Sequence, residues 1–204
     1  MRIVAMAGSL RAGSFNRQLL EVAARHAPAG AVVEIWEGLA EIPPYSEDID
    51  TEDGPAPVTA LRATLAAADA VLIATPEYNG SVPGQLKNAL DWASRPFPDS
   101  ALRDKPVVDW ASRPFPDSAL RDKPVAVIGA SVSPGGTRSA QAELRKVLAR
   151  IGADPLERTV PVASAWSAFD AEGQLTDEPA LRELRVLLAE LHDQTQPTIE
   201  PAAS

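Results

Sequence analysis

The 204-residue sequence contains no cysteine, which removes disulfides, iron–sulfur clusters, zinc–thiolate sites and thiol catalysis together. It has two histidines, His26 and His192. Both sit in polar, helical-looking stretches, ARHAPAG and AELHDQTQ, where a histidine is a solvated helix-end residue rather than a ligand or base, so we expect no metal chemistry. No apolar run approaches the ~20 residues that a membrane-spanning helix needs. The opening MRIVAMAGSL passes directly into Gly-Ser-Leu-Arg without the long apolar centre of a signal peptide, so the expected location is cytoplasmic. A formal net charge of −9 lacks the basic footprint of a nucleic-acid binder. What remains is an ordinary globular composition, 45% hydrophobic and 23% charged, of a length that suits one core.

Short β-branched runs alternate with longer stretches of helical period, the pattern of βαβ units around a parallel sheet. The strand candidates are Arg2–Ala7, Ala31–Glu37, Ala70–Thr75, Val125–Ala130 and Leu156–Val162. They read as continuous apolar runs, as strands covered on both faces do. Between them Phe15, Leu19 and Val22, then Leu144, Val147, Leu148 and Ile151, recur at helical spacing. Leu181, Leu184, Leu188 and Leu191 give a last helix its buried stripe, with Thr176 or Asp177 as cap and Pro179 in the first turn, while Gly152 ends the preceding helix. Five strands and five helices result. Glu41–Pro57, rich in proline and acid, reads as a long surface loop before the second helix. We expect a single domain over residues 1–193 and a disordered tail over residues 194–204.

One feature breaks this scheme. DWASRPFPDSALRDKPV occupies Asp91–Val107 and recurs without change at Asp109–Val125, a period of 18 residues. Two copies do not make a solenoid, so this is a tandem duplication, recent or engineered. The first copy continues the third helix through LKNALDW and the second runs into the fourth strand, VAVIGAS. The extra unit therefore belongs between them, at the amino edge of the sheet, whereas ligands of such sheets sit at the carboxyl edge.

Three segments that follow strands carry the chemistry. In AGSLRAGSFNRQLL, Gly8 and Gly13 permit tight turns, Ser9, Ser14 and Asn16 offer short donors, and Arg11 supplies a charged fork. At a helix amino terminus this set surrounds an anion, and phosphate is the natural ligand. A Gly/Ser turn with Ser14 as ordinary helix cap is the plainer alternative. It is neither Gly-x-Gly-x-x-Gly nor a Walker loop. In ATPEYNGSVPGQLKNALDW, Pro76, Glu77, Tyr78, Asn79 and Gly80 form an irregular loop on which a planar ring can lie. Two roles are open for Glu77, a catalytic acid or a carboxylate that satisfies N–H groups of its own loop, and Tyr78 packs. GASVSPGGTRSAQAELR repeats the logic with Gly129, Ser131, Gly135 and Gly136.

The segments GSLRAGSFNRQLL, PEYNGSVPGQLKNALDWASRP and GGTRSAQAELR resemble those of the NADPH-dependent FMN reductase family, which includes quinone, azo-dye and chromate reductases. The resemblance runs from Met1 to about Leu191. It implies an α/β, flavodoxin-like three-layer fold whose five-stranded parallel sheet has the order 2-1-3-4-5. It implies FMN as cofactor and NADPH, or NADH, as electron donor, with electrons passing through bound flavin to a small acceptor such as a flavin, quinone, azo compound or metal oxyanion. Carried over by residue, Ser9, Arg11, Ser14, Phe15 and Asn16 bind the FMN phosphate. Pro76, Glu77, Tyr78, Asn79 and Gly80 hold the ribityl chain and ring, and Ser131, Gly135 and Gly136 flank the ring. A homodimer or homotetramer is implied, with neither nucleic-acid nor membrane partners. If third helices pair across a two-fold axis, Trp110, Arg113 or Phe115 of the extra unit reach a partner's site; a bulge without function is the alternative. A flavodoxin-type electron carrier, or an enzyme acting on flavin as substrate, are the competing readings.

Overall fold

The computed structural model describes residues 1–51, 54–95 and 118–196. Residues 110, 113 and 115, and the end of the tail from residue 197, lie outside these. The elements run β1 (Arg2–Ala7), α1 (Phe15–Arg25), β2 (Val32–Trp36), α2 (Ala56–Ala66), β3 (Ala70–Ala74), α3 (Gly84–Ala93), β4 (Pro124–Ala130), α4 (Arg138–Arg150), β5 (Asp154–Val162), α5 (Ala165–Ala168) and α6 (Glu178–Asp193). The strands form one sheet of order β2-β1-β3-β4-β5, with every neighbouring pair parallel. The flavodoxin-like, three-layer fold is as expected.

Alternation along each strand sorts the core into two layers, because successive side chains leave opposite faces of the sheet. Ile3, Ala5, Leu72, Ala74, Ala126 and Ile128 meet α1 and α6, through Leu19, Leu20, Leu184 and Leu188. Val4, Met6, Val71, Ile73, Val125 and Val127 meet α2, α3 and α4, through Leu61, Leu65, Leu90, Trp92 and Leu144. The last helix starts at Asp177, whose Oδ1 accepts from Ala180 N at 3.1 Å. Coverage of both faces is complete only for the inner strands. Val32 on the edge strand β2 is 59% exposed, and outer β5 alternates buried and open residues. Position in the sheet, which composition does not reveal, decides this.

The proline-rich stretch is docked more tightly than a surface loop. Ile42 is buried, and Pro43 O accepts from Asn88 Nδ2 at 2.8 Å and Trp92 Nε1 at 2.9 Å. Gln85 Nε2 donates to Leu39 O and Ile42 O, each at 2.8 Å. Asp50 sits between Arg62 at 2.9 Å and Arg95 at 3.1 Å. A segment short of N–H donors still exposes carbonyls, and polar side chains of α3 satisfy them.

At the amino edge the first repeat copy supplies the end of α3 and the second supplies the entry to β4. Ala93 O accepts from Ala119 N at 3.1 Å, and Asp122 N donates to Gly152 O at 2.7 Å. Leu120 is fully buried in the α2–α3–α4 layer. Lys123 Nζ reaches Ala68 O, and burial lowers its pKa against the opposing pull of Asp69.

Candidate functional site

Parallel strands deliver the loops after β1, β3, β4 and β5 to one edge of the sheet. In the first loop Gly8 N donates to Ala74 O at 2.8 Å, and a Cβ on Gly8 would stand 2.8 Å from Leu86 Cδ2. Only glycine lets β1 turn out so close to α3. Ser14, 2% exposed, caps α1 by accepting from Arg17 N at 3.4 Å. The N–H groups of Phe15 and Asn16 precede any intrahelical acceptor and are open for a ligand. The first turn of α1 holds no acidic residue. Arg11, exposed near Ser9, places its guanidinium 5.4 Å from the centroid of the Phe15 ring and has no carboxylate partner among the described residues. The result is a helix terminus with positive charge that no described acidic side chain neutralises.

Asn16 is the exception within this group. Its Nδ2 donates to Ala130 O at 3.0 Å and its Oδ1 accepts from Ala130 N at 2.9 Å. The side chain thus staples α1 to the end of β4, which leaves the backbone N–H of the first helical turn as its candidate donor to a ligand.

In the second loop the structure corrects three expectations. Tyr78 to Ser81 is a regular two-residue hairpin, closed by backbone bonds of 3.0 and 3.1 Å. Asn79 at φ 53° and Gly80 at φ 76° fit the turn in which both central residues are left-handed. The Asn-Gly pair was the sequence signal for it. Tyr78 does not pack inward; it is 52% exposed. Glu77 does accept backbone N–H groups, but those of another element: Oε2 takes Ser139 N at 3.0 Å and Ala140 N at 3.1 Å, at the start of α4. Pro76, buried, precedes it.

The third loop is drawn in tightly. A Cβ on Gly129 would lie 2.2 Å from Thr137 Oγ1 and 2.3 Å from Thr75 O, and one on Gly136 would lie 3.1 Å from Pro161 O. Ser131 Oγ accepts from Ser133 N at 3.2 Å, and Gly135 O accepts from Arg138 at 2.9 Å. Ser131 also joins this loop to the next, its N donating to Val162 O and its O accepting from Ala165 N, both at 3.0 Å. Sequence reasoning missed α5. Its Trp166 is 74% exposed and meets Phe15 edge-on at 5.0 Å, while Phe169 stacks on Phe15 at 5.6 Å. Leu10, Tyr78, Val132 and Trp166, all large and exposed, stand on the four loops of this edge.

The parallel order and a cation-flanked helix terminus beside glycine-lined loops define a flavodoxin-like protein for a phosphate-bearing cofactor. The residues fit FMN in kind: open N–H groups and Arg11 for the phosphate, and turns bearing small side chains for the rest. Comparison makes the assignment specific, for the chain belongs to the NADPH-dependent FMN reductase family, whose sequence profile matches residues 1–108 and 107–167. The two matched stretches meet where the first repeat copy ends. The chain is 40% identical over 185 residues to an NAD(P)H-dependent FMN reductase of Pseudomonas aeruginosa, covering 90% of this chain and 89% of that protein. It is 36% identical over 189 residues to a 2-hydroxy-1,4-benzoquinone reductase of Burkholderia, covering 92% of each. Among solved structures it resembles FerB, an NAD(P)H:(acceptor) oxidoreductase flavoenzyme of Paracoccus denitrificans, at a TM-score of 0.76 and 31% identity, covering 95% of this chain and 96% of FerB. The protein is a flavin-dependent reductase that uses FMN and NAD(P)H. No described helix is long and apolar enough to cross a membrane.

Proposed function

We propose that FMN is held at this edge with its phosphate on the first loop, where Ser9, Arg11, Ser14, Phe15 and Asn16 gather, Asn16 through its backbone. Its ribityl chain and ring then follow Pro76–Gly80, with Ser131, Gly135 and Gly136 along the ring. The observation that carries this reading is the state of the α1 amino terminus: among the described residues its first N–H groups have no acceptor and Arg11 has no carboxylate partner, and the first turn holds no acid. When bound, FMN supplies two-electron chemistry, taking a hydride from NAD(P)H and passing the electrons on. The chain's part is placement: backbone donors fix the phosphate, and the tied loops hold the ring's surroundings in place. Leu10, Tyr78, Val132 and Trp166 supply exposed apolar surface on the loops of this edge, which suits a planar acceptor such as a quinone, with a second flavin, an azo compound or a metal oxyanion as further candidates. His26 closes the far end of α1 and His192 lies in the last turn of α6, so no histidine is assigned as a base.

We further read the protein as a cytoplasmic homodimer or homotetramer of single-domain subunits, as its family resemblance implies, with NADPH preferred as donor. The test is the visible spectrum of the protein with FMN, taken anaerobically before and after a small excess of NADPH. Rapid bleaching of bound flavin is the expected result. Bound flavin that NADPH leaves oxidised points instead to an electron carrier or to an enzyme acting on flavin, and absence of binding overturns the phosphate site.

A further inference from the structure

We infer that Glu77 is a positioning residue that holds a fixed negative charge on the amino terminus of α4 and so restrains electron uptake by the bound cofactor. The inference rests on the reading that the flavin ring lies between the second and third loops.

Helix α4 begins without a cap of its own. Thr137, at its N-cap, makes no side-chain bond to the first turn, which also lacks an acid. Its hydroxyl is turned into the core, where it accepts from Gln141 Nε2 at 2.7 Å and lies against Gly129. The Ser139 and Ala140 N–H groups would then end open, as those of Phe15 and Asn16 do in α1. Glu77 reaches both from a strand end 62 residues earlier in the chain. A second bond, Ser81 Oγ to Glu143 Oε2 at 3.1 Å, joins the other side of the same hairpin to the second turn of α4. Hairpin and helix start are thereby one body.

The electrostatic outcome is opposite to that at α1. There the helix dipole and Arg11 add to a positive field that suits phosphate. At α4 the carboxylate of Glu77 offsets the dipole, and Glu143 adds a second negative charge one turn on; Arg138 is the facing cation, its guanidinium engaged with Gly135 O at 2.9 Å. Hydride transfer moves two electrons and one proton from NAD(P)H, leaving NAD(P)⁺, and the reduced flavin carries more negative charge than the oxidised. A carboxylate fixed beside it disfavours the reduced form. The same side chain thus closes the loop geometry and limits how strongly the site holds reduced cofactor, which favours passing electrons onward.

Two variants test this with opposite signs. E77Q keeps an acceptor oxygen for α4 and removes the charge; S139E adds a charge at an exposed first-turn position where acids are tolerated. Measured as the affinity of the protein for reduced relative to oxidised FMN, E77Q should raise the ratio about tenfold, the effect of one unit charge in a partly solvated loop, equal to an upward potential shift of about 30 mV for a two-electron couple. S139E should lower the ratio several-fold. In the cofactor-free protein, amide exchange at Ala140 should quicken in E77Q, where a neutral oxygen replaces a charged acceptor, and not in S139E. Unchanged ratios in both variants, or shifts of the same sign, overturn the inference. Should E77Q fail to fold, an unchanged or raised ratio in S139E overturns the inference by itself, because charge at the α4 amino terminus would then have no hold on the cofactor. Failure of the wild-type protein to bind FMN is seen before any variant is made and removes the reading of the site instead.

Discussion

The two edges of the sheet hold chain in opposite ways. At the carboxyl edge each loop is fastened to a neighbour by side chains or backbone of another loop: Asn16 to Ala130, Glu77 to α4, and Ser131 to Val162 and Ala165. At the amino edge between α3 and β4, among the described residues, a backbone bond from Ala119 to Ala93 and the buried Leu120 bring the two sides of the connection together. The first arrangement makes loop length and residue identity matter at every position. The second ties the described residues on either side of the repeat at the edge away from the candidate site, with Leu120 seated in the α2–α3–α4 layer.

The largest expected effect strikes the first edge. Asn16→Ala strands the N–H and C=O of Ala130 in a buried setting, which costs about 3 kcal/mol, and releases α1 from β4. Chemical denaturation should register the loss, and FMN titration should show at least tenfold weaker binding. Leu120→Ala is the matched injury at the other edge: it removes a fully buried side chain at about 3 kcal/mol, yet FMN affinity of the folded protein should stay within about twofold. If the two variants weaken FMN binding equally, the distinction between the edges fails.

Removal of residues 96–113 sharpens the comparison from the other side. It excises one repeat period and shortens the chain between Arg95 and Ser118 from 22 residues to 4. Loop-closure entropy then favours the folded state by about 1.5 kcal/mol, so the melting temperature should rise slightly and FMN affinity should not change. A loss of FMN affinity would assign the extra unit to the site.

The smallest effect concerns pH. Burial, with help from Arg185 and Arg25, lowers the pKa of His26 below the usual 6.5. Between its folded and unfolded pKa values the unfolded chain binds more protons, so this residue's contribution to stability rises as pH increases through that window and is lost on acidification. His26→Gln should flatten the acid side of the stability profile slightly, as followed by thermal melts from pH 5 to pH 7.5.

Much of this architecture was legible because it depends on near neighbours in sequence. The strand runs, the Asp177 cap with Pro179, and the Gly-Ser turn into α1 all announce themselves within a few residues. The missed features join distant segments. Nothing near Glu77 indicates that its partners are Ser139 and Ala140, and nothing near Asn16 points to Ala130. The Asn79-Gly80 turn was local and readable, but its setting in a loop rich in proline and glycine masked the hairpin pattern. Helix α5 is four residues long, too short for any period, and its Trp166 gains meaning only once Phe15 is beside it.

The Ala93–Ala119 contact has a practical meaning as well. Two chain positions held together by a backbone bond, with a fully buried leucine one residue further on, behave as the collar of a port. A reporter or affinity peptide inserted there would leave at the amino edge of the sheet, away from the flavin loops at the carboxyl edge, and each doubling of its length would cost only about 0.6 kcal/mol in closure entropy, so the termini stay free for other uses.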